Sequence, residues 1–101
     1  MDMEKKTAIV TGGSRGIGAA AVRLLAENGW RVAVGCWRHP EQAQTLCGQL
    51  AEEGCEAFFF QGDVASAGEM EAMARAVLDR WGSIDLLVNN AGIAQQKLFT
   101  D

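Results

Sequence analysis

Short apolar runs alternate along the chain with longer amphipathic stretches, and glycine stands at nearly every change of period. Thr7 to Val10 is β-branched and apolar and stops at Gly12-Gly13, as a buried strand bounded by a glycine turn does. Gly16 to Asn28 then carries Ile17, Ala21, Leu24 and Leu25 at i, i+4, i+7 and i+8 without a proline. That spacing predicts a helix with those four side chains toward the core and Gly29 as its C′ residue. Trp30 to Cys36 reads as a second strand through Val32, Ala33 and Val34. Pro40 follows where the first turn of a helix tolerates a missing N–H. Ala43, Leu46, Cys47, Leu50 and Ala51 keep the helical period until Gly54.

The third unit repeats this order. Cys55 to Phe60 is a strand with Phe58, Phe59 and Phe60 in succession, apolar on both faces as a strand covered on both sides would be. Ser66 and Glu69 have the S-x-x-E spacing of a capping box. Met70, Met73, Ala74, Val77, Leu78 and Trp81 hold helical spacing to Gly82, and Ile84 to Val88 is a fourth strand ending at Asn89-Asn90-Ala91-Gly92. Strands near 7–11, 30–36, 55–61 and 84–89 that alternate with helices of this length must pair in parallel. A parallel neighbour needs a long, right-handed return connection. The expectation is therefore an α/β doubly wound parallel sheet, Rossmann-like, with strand order 3-2-1-4. Residues 93–101 show neither cap nor period, and the chain is expected to continue past Asp101. Residues 1–101 would then form the N-terminal part of one domain.

Composition narrows the function classes. The chain has 101 residues, 9 Lys+Arg against 13 Asp+Glu and a formal net charge of -4. Without a basic cluster it lacks the electrostatic footprint of a nucleic-acid or anionic-membrane binder. The N-terminal apolar run is too short for a signal or spanning segment, so a cytoplasmic setting is expected. Cys36, Cys47 and Cys55 form no C-x-x-C pair, and the single histidine is His39, so neither a disulfide framework nor a metal site is indicated. These cysteines read as small buried hydrophobes. His39, before Pro40, reads as a capping or surface residue.

The strongest local signal is Thr11-Gly12-Gly13-Ser14-Arg15-Gly16-Ile17-Gly18, between the first strand and the first helix. Glycines there let backbone N–H groups approach a pyrophosphate, and the helix N-terminus adds partial positive charge. The competing phosphate cradle, G-x-x-x-x-G-K-[ST], fails on Gly13 to Gly18, because Ala19 and Ala20 stand where Lys and Ser/Thr would be. An NTPase is disfavoured.

With Gly62-Asp63-Val64 after the third strand and Asn89-Asn90-Ala91-Gly92 after the fourth, the sequence resembles the short-chain dehydrogenase/reductase family, in its 3-oxoacyl-(acyl carrier protein) reductase branch. The resemblance implies that Gly12, Ser14, Arg15, Gly16, Ile17 and Gly18 line the phosphates and ribose. It implies that Asp63 accepts from the adenine amino group with Val64 beside the ring, and that Asn90, Ala91 and Gly92 run along the cofactor while Asn89 ties down the central strand. The alternative for Asp63 is a helix-start aspartate favoured by the dipole, and for Asn89 and Asn90 plain turn residues.

Charge bears on which dinucleotide is taken. A carboxylate about 20 residues beyond the glycine turn would bond the ribose 2′-OH and repel a 2′-phosphate, whereas an arginine would pair with it. Counting on from Gly16 reaches Cys36, then Trp37 and Arg38, with no acid before Glu41. Arg15 adds a second cation, so NADP is expected over NAD, with Trp37 placed to stack on the adenosine. The alternative for both arginines is solvated surface charge, and for Trp37 ordinary packing.

The resemblance further implies a small-molecule carbonyl substrate, of 3-oxoacyl thioester type and including the carrier-protein-bound form, and a homo-oligomeric full-length protein. The family's serine, and its tyrosine with a lysine four positions on, belong to the second half of the fold. This chain contains no tyrosine. Two function classes stay open: the cofactor half of an NADPH-dependent reductase, or a non-catalytic NADP-binding module such as a redox sensor.

Overall fold

The computed structural model describes residues 5–12, 16–38, 40–62 and 66–89. Seven elements follow in order: β1 (Thr7–Thr11), α1 (Gly16–Glu27), β2 (Arg31–Cys36), α2 (Pro40–Glu52), β3 (Ala57–Gln61), α3 (Ala67–Trp81) and β4 (Leu86–Asn89). All pairings are parallel, in the order β3-β2-β1-β4. This is the doubly wound architecture expected from the alternation. β2, β3 and β4 begin one or two residues later than the apolar runs do.

Register divides the side chains between two faces. Val10 pairs with Val34 and Val88, and Val34 with Phe59, so one row crosses all four strands on the face covered by α1 and α2. Ile9 and Ala33 point to the other face, where Met73 and Val77 of α3 close a smaller core with Phe58, Phe60, Trp81 and Ile84 at its margin. α1 and α2 lie on one face and α3 on the other, so the crossovers change side between β1 and β4.

Each helix stops at the expected glycine. Gly29 has φ 88°, with Gly29 N–H donating to Ala26 and Trp30 N–H to Leu25, the paired bonds of a Schellman motif. Gly54 closes α2 in the same way through Ala51 and Leu50, and Gly82 closes α3 with one bond to Leu78. Three packing expectations are corrected. Ile17 and Leu24 are 75% and 63% exposed, and α1 buries Gly18, Val22 and Ala26 instead. Small residues at i, i+4 and i+8 let the helix approach the sheet closely, and the larger apolar residues fall on its outer flank. Leu78 of α3 is likewise exposed. Phe58, Phe59 and Phe60 are only half-buried, because β3 is an edge strand with a neighbour on one side.

Ser66 is the N-cap of α3, but its side chain makes no cap hydrogen bond; the Glu69 carboxylate lies against Gly62. Cys36 and Cys47 are buried in the larger core, Cys55 is half-buried, and all three are free thiols. Burial, and secondarily the charge of Glu41, raises the Cys36 thiol; burial, and secondarily Cys36, pushes Cys47 up to about 11. Among the described residues no helix is long and apolar enough to cross a membrane.

Candidate nucleotide site at the carboxyl edge of the sheet

In an open parallel sheet a ligand crevice forms outside the carboxyl ends of the strands where the connections change face. Here that point lies between β1 and β4, and Thr11 and Asn89 meet across it. The Thr11 hydroxyl donates to Asn89 Oδ1 at 2.7 Å, with the Val88 carbonyl oxygen 3.4 Å away. Asn89 therefore joins the last residues of β1, a central strand, and β4, in line with what the resemblance implied of it.

Beyond Thr11 the backbone takes a path that favours glycine. Gly12 has φ 66° and is anchored by its N–H to the Gly35 carbonyl at 2.9 Å; Gly16, at the start of α1, has φ 58°. A Cβ on Gly16 would meet nothing within 4 Å, so the first turn of α1 presents backbone to open space. That is the geometry an anionic group needs at a helix N-terminus, where unpaired N–H groups and the helix dipole favour negative charge. Ile17 stands exposed beside it, while Gly18 is buried toward the sheet.

The same edge continues through β2 and β3. Trp37 and Arg38 follow β2 directly and both are exposed, Trp37 at 49%. The Gly62 N–H donates to the Cys36 carbonyl at 2.8 Å, and Gln61 Nε2 donates to the Trp37 carbonyl at 3.3 Å. Beneath them α3 rests on two glycines. A Cβ on Gly35 would lie 3.1 Å from Met73 Cε, and one on Gly62 would lie 2.6 Å from Glu69 Oε1. Of the expected cofactor residues, Gly12, Gly16, Ile17, Gly18, Trp37 and Arg38 are thus gathered at one end of the sheet. Ser14, Arg15, Asp63, Val64, Asn90, Ala91 and Gly92, and also His39, lie outside the described residues. Gln61 was not singled out in the sequence, since nothing in a lone glutamine at a strand end marks a cross-strand partner.

A separate groove of about 330 Å³ runs between α1 and α2, lined by helical residues such as Ala19, Arg23, Glu41 and Gln49, and holds none of the strand-end residues. Among the described residues no group of three His, Cys, Asp or Glu side chains could hold a metal ion.

The family model for short chain dehydrogenase matches residues 6–101. The chain belongs to the short-chain dehydrogenase family. Among its relatives, the 3-oxoacyl-[acyl-carrier-protein] reductase FabG of Staphylococcus aureus is 43% identical over 93 residues, which are 92% of this chain and 38% of the reductase. The chain therefore spans under two fifths of the length of that relative. The short-chain dehydrogenase/reductase homolog YusS of Bacillus subtilis is 38% identical over 95 residues, covering 94% of this chain and 87% of YusS. Among solved family structures, an actinorhodin polyketide ketoreductase with NADPH superposes with a TM-score of 0.81 at 42% identity, over 89% of this chain and 34% of that one. FolM alternative dihydrofolate reductase 1 from Brucella suis, in complex with NADP, gives 0.78 at 35% identity, over 90% and 36%.

Proposed function

We propose that this chain supplies the NADP-binding half of a reductase that converts a carbonyl, of 3-oxoacyl thioester type, to an alcohol. The observation that carries the reading is the glycine-built opening at Gly12 and Gly16, set at the point where the crossovers change face and framed by Trp37 and Arg38. A dinucleotide would place its pyrophosphate at the first turn of α1, with Ser14 and Arg15, which lie between Gly12 and Gly16 in the sequence, as further partners. Arg38 and Arg15 would pair with the 2′-phosphate and Trp37 would stack on the adenosine. No acid stands between Cys36 and Glu41, where the residue that meets the ribose would lie, so nothing there repels the phosphate. Asp63 would accept from the adenine amino group beside Val64, and Asn90, Ala91 and Gly92 would pass along the cofactor. Ile17, apolar and exposed at the helix start, gives the ligand a nonpolar neighbour.

NADPH held there would supply the hydride for the carbonyl carbon. The proton for the carbonyl oxygen must come from outside these residues if it comes from a tyrosine, since the composition has none. The FabG relatives support the thioester class, and the two neighbours solved with NADPH and NADP support NADP. The test is NADPH titration and substrate-dependent NADPH oxidation with a 3-oxoacyl thioester, using protein from the complete reading frame. Tight NADPH binding with turnover is expected; absence of NADPH binding overturns the reading.

One observation favours a second reading. YusS is matched over 87% of its own length by this chain. A non-catalytic NADP-binding module of this size is therefore a family form to test against. It would bind NADPH with no turnover of any ketone.

A further inference from the structure

The β2–β3 ladder pairs Cys36 with Gln61 as its last residues, and the Gly62 N–H adds one backbone bond to the Cys36 carbonyl. The side chain of Gln61 carries the tie one residue further, to the Trp37 carbonyl. Gln61 is exposed and belongs to neither core. Its amide therefore holds the peptide that joins Trp37 to Arg38, the pair that leaves the sheet at its ligand edge. We infer that Gln61 is a positioning residue for nucleotide choice, fixing the Trp37–Arg38 peptide so that the indole and the guanidinium face the adenosine end of a 2′-phosphorylated dinucleotide together. The inference rests on the NADP reading above.

A donor that only fixed the fold would affect both dinucleotides alike. A donor that aims Arg38 acts on the 2′-phosphate, which NADPH has and NADH lacks. A neutral hydrogen bond of this kind corresponds to an effect of about 3- to 10-fold. Binding of NADPH and NADH is measured by titration on the protein from its complete reading frame, for wild type, Gln61→Leu and Gln61→Met. Both variants keep most of the side-chain volume and lose the donor. The NADPH-over-NADH preference is expected to fall about 3- to 10-fold in both variants, with the thermal midpoint close to wild type. Tryptophan emission gives a second readout. Trp37→Phe leaves Trp30 and Trp81 as background, and the NADPH-induced quenching of the Trp37 component should shrink in Gln61→Leu at saturating nucleotide. An unchanged preference in both variants, or an equal loss of affinity for the two nucleotides, overturns the inference and leaves the NADP reading standing. A wild type that binds neither nucleotide, or binds both equally, overturns that reading and this inference with it.

Discussion

At the amino ends of the strands, side chains close the sheet. Asp85 Oδ2 accepts the Thr7 N–H at 2.9 Å while the Asp85 N–H donates to the Thr7 carbonyl at 2.8 Å. Arg31 Nη1 donates to the Trp81 carbonyl and its Nε lies 3.1 Å from Glu56, which also meets Lys5 at 3.4 Å. At the carboxyl ends the sheet is finished by glycines: Gly12 and Gly16 at positive φ, Gly35 under Met73 and Gly62 under Glu69. Ionic and carboxylate ties mark the first end, whereas the second combines two neutral side-chain bonds, Thr11–Asn89 and Gln61–Trp37, with glycines that keep Cβ atoms away. On the proposed nucleotide reading, stability and ligand access fall at opposite ends, and substitutions at the two ends should fail in different assays.

The largest expected effect is at the open end. Gly16→Val puts a β-branched residue at φ 58° and a side chain into the opening, so NADPH affinity should fall on the order of 100-fold. Isothermal titration checks it, and retained affinity would show that the first turn of α1 is not the phosphate seat. At the closed end, Asp85→Ala leaves the buried Thr7 N–H without its acceptor, costing about 1–3 kcal/mol of stability. Urea denaturation should record that loss while NADPH affinity stays at wild type. A variant that lost affinity and kept its stability would reverse the assignment of the two ends.

Gly35→Ala tests how tightly the open end is supported from below. The added Cβ would lie 3.1 Å from Met73 Cε and 3.3 Å from Sδ, and Met73 is fully buried, so the core must yield by a few tenths of an ångström. A cost of about 1 kcal/mol in denaturant is expected. Gly62→Ala meets the far end of Glu69, which can swing away, but also the Phe60 ring at 3.0 Å, so its cost should be similar to that of Gly35→Ala.

The contrast also separates what the sequence makes legible from what it does not. The glycine turn, the helix stops at Gly29, Gly54 and Gly82, and the strand order are all local or topological, and period and punctuation carry them. The orientation of α1 is different. Counting large apolar residues selects Ile17 and Leu24, whereas close packing on a sheet selects Gly18, Val22 and Ala26. Glu69 has the right spacing for a capping box, but its carboxylate lies against Gly62, a contact set by the packing of α3. The Gln61–Trp37 bond depends on the register of β2 against β3, which no single segment encodes.

The smallest effect at neutral pH concerns the core that both ends share. Cys47 sits in the α1/α2 core, and burial raises its thiol from 9.0 to about 11. The folded protein holds this proton more tightly than the unfolded chain. The associated stability is intact below pH 9 and is lost as pH rises toward about 11. The penalty should be well under 1 kcal/mol at pH 9 and about 1 kcal/mol at pH 10. Cys36 is raised in the same direction and adds to the alkaline loss. Removing the titrating group isolates the Cys47 share: Cys47→Ala should be less stable than wild type at pH 7, because it leaves a small void, yet the gap should narrow between pH 8 and pH 10. Denaturation midpoints of the two proteins across that range decide it. A gap that stays constant would mean that Cys47 ionises as readily in the folded core as in the unfolded chain.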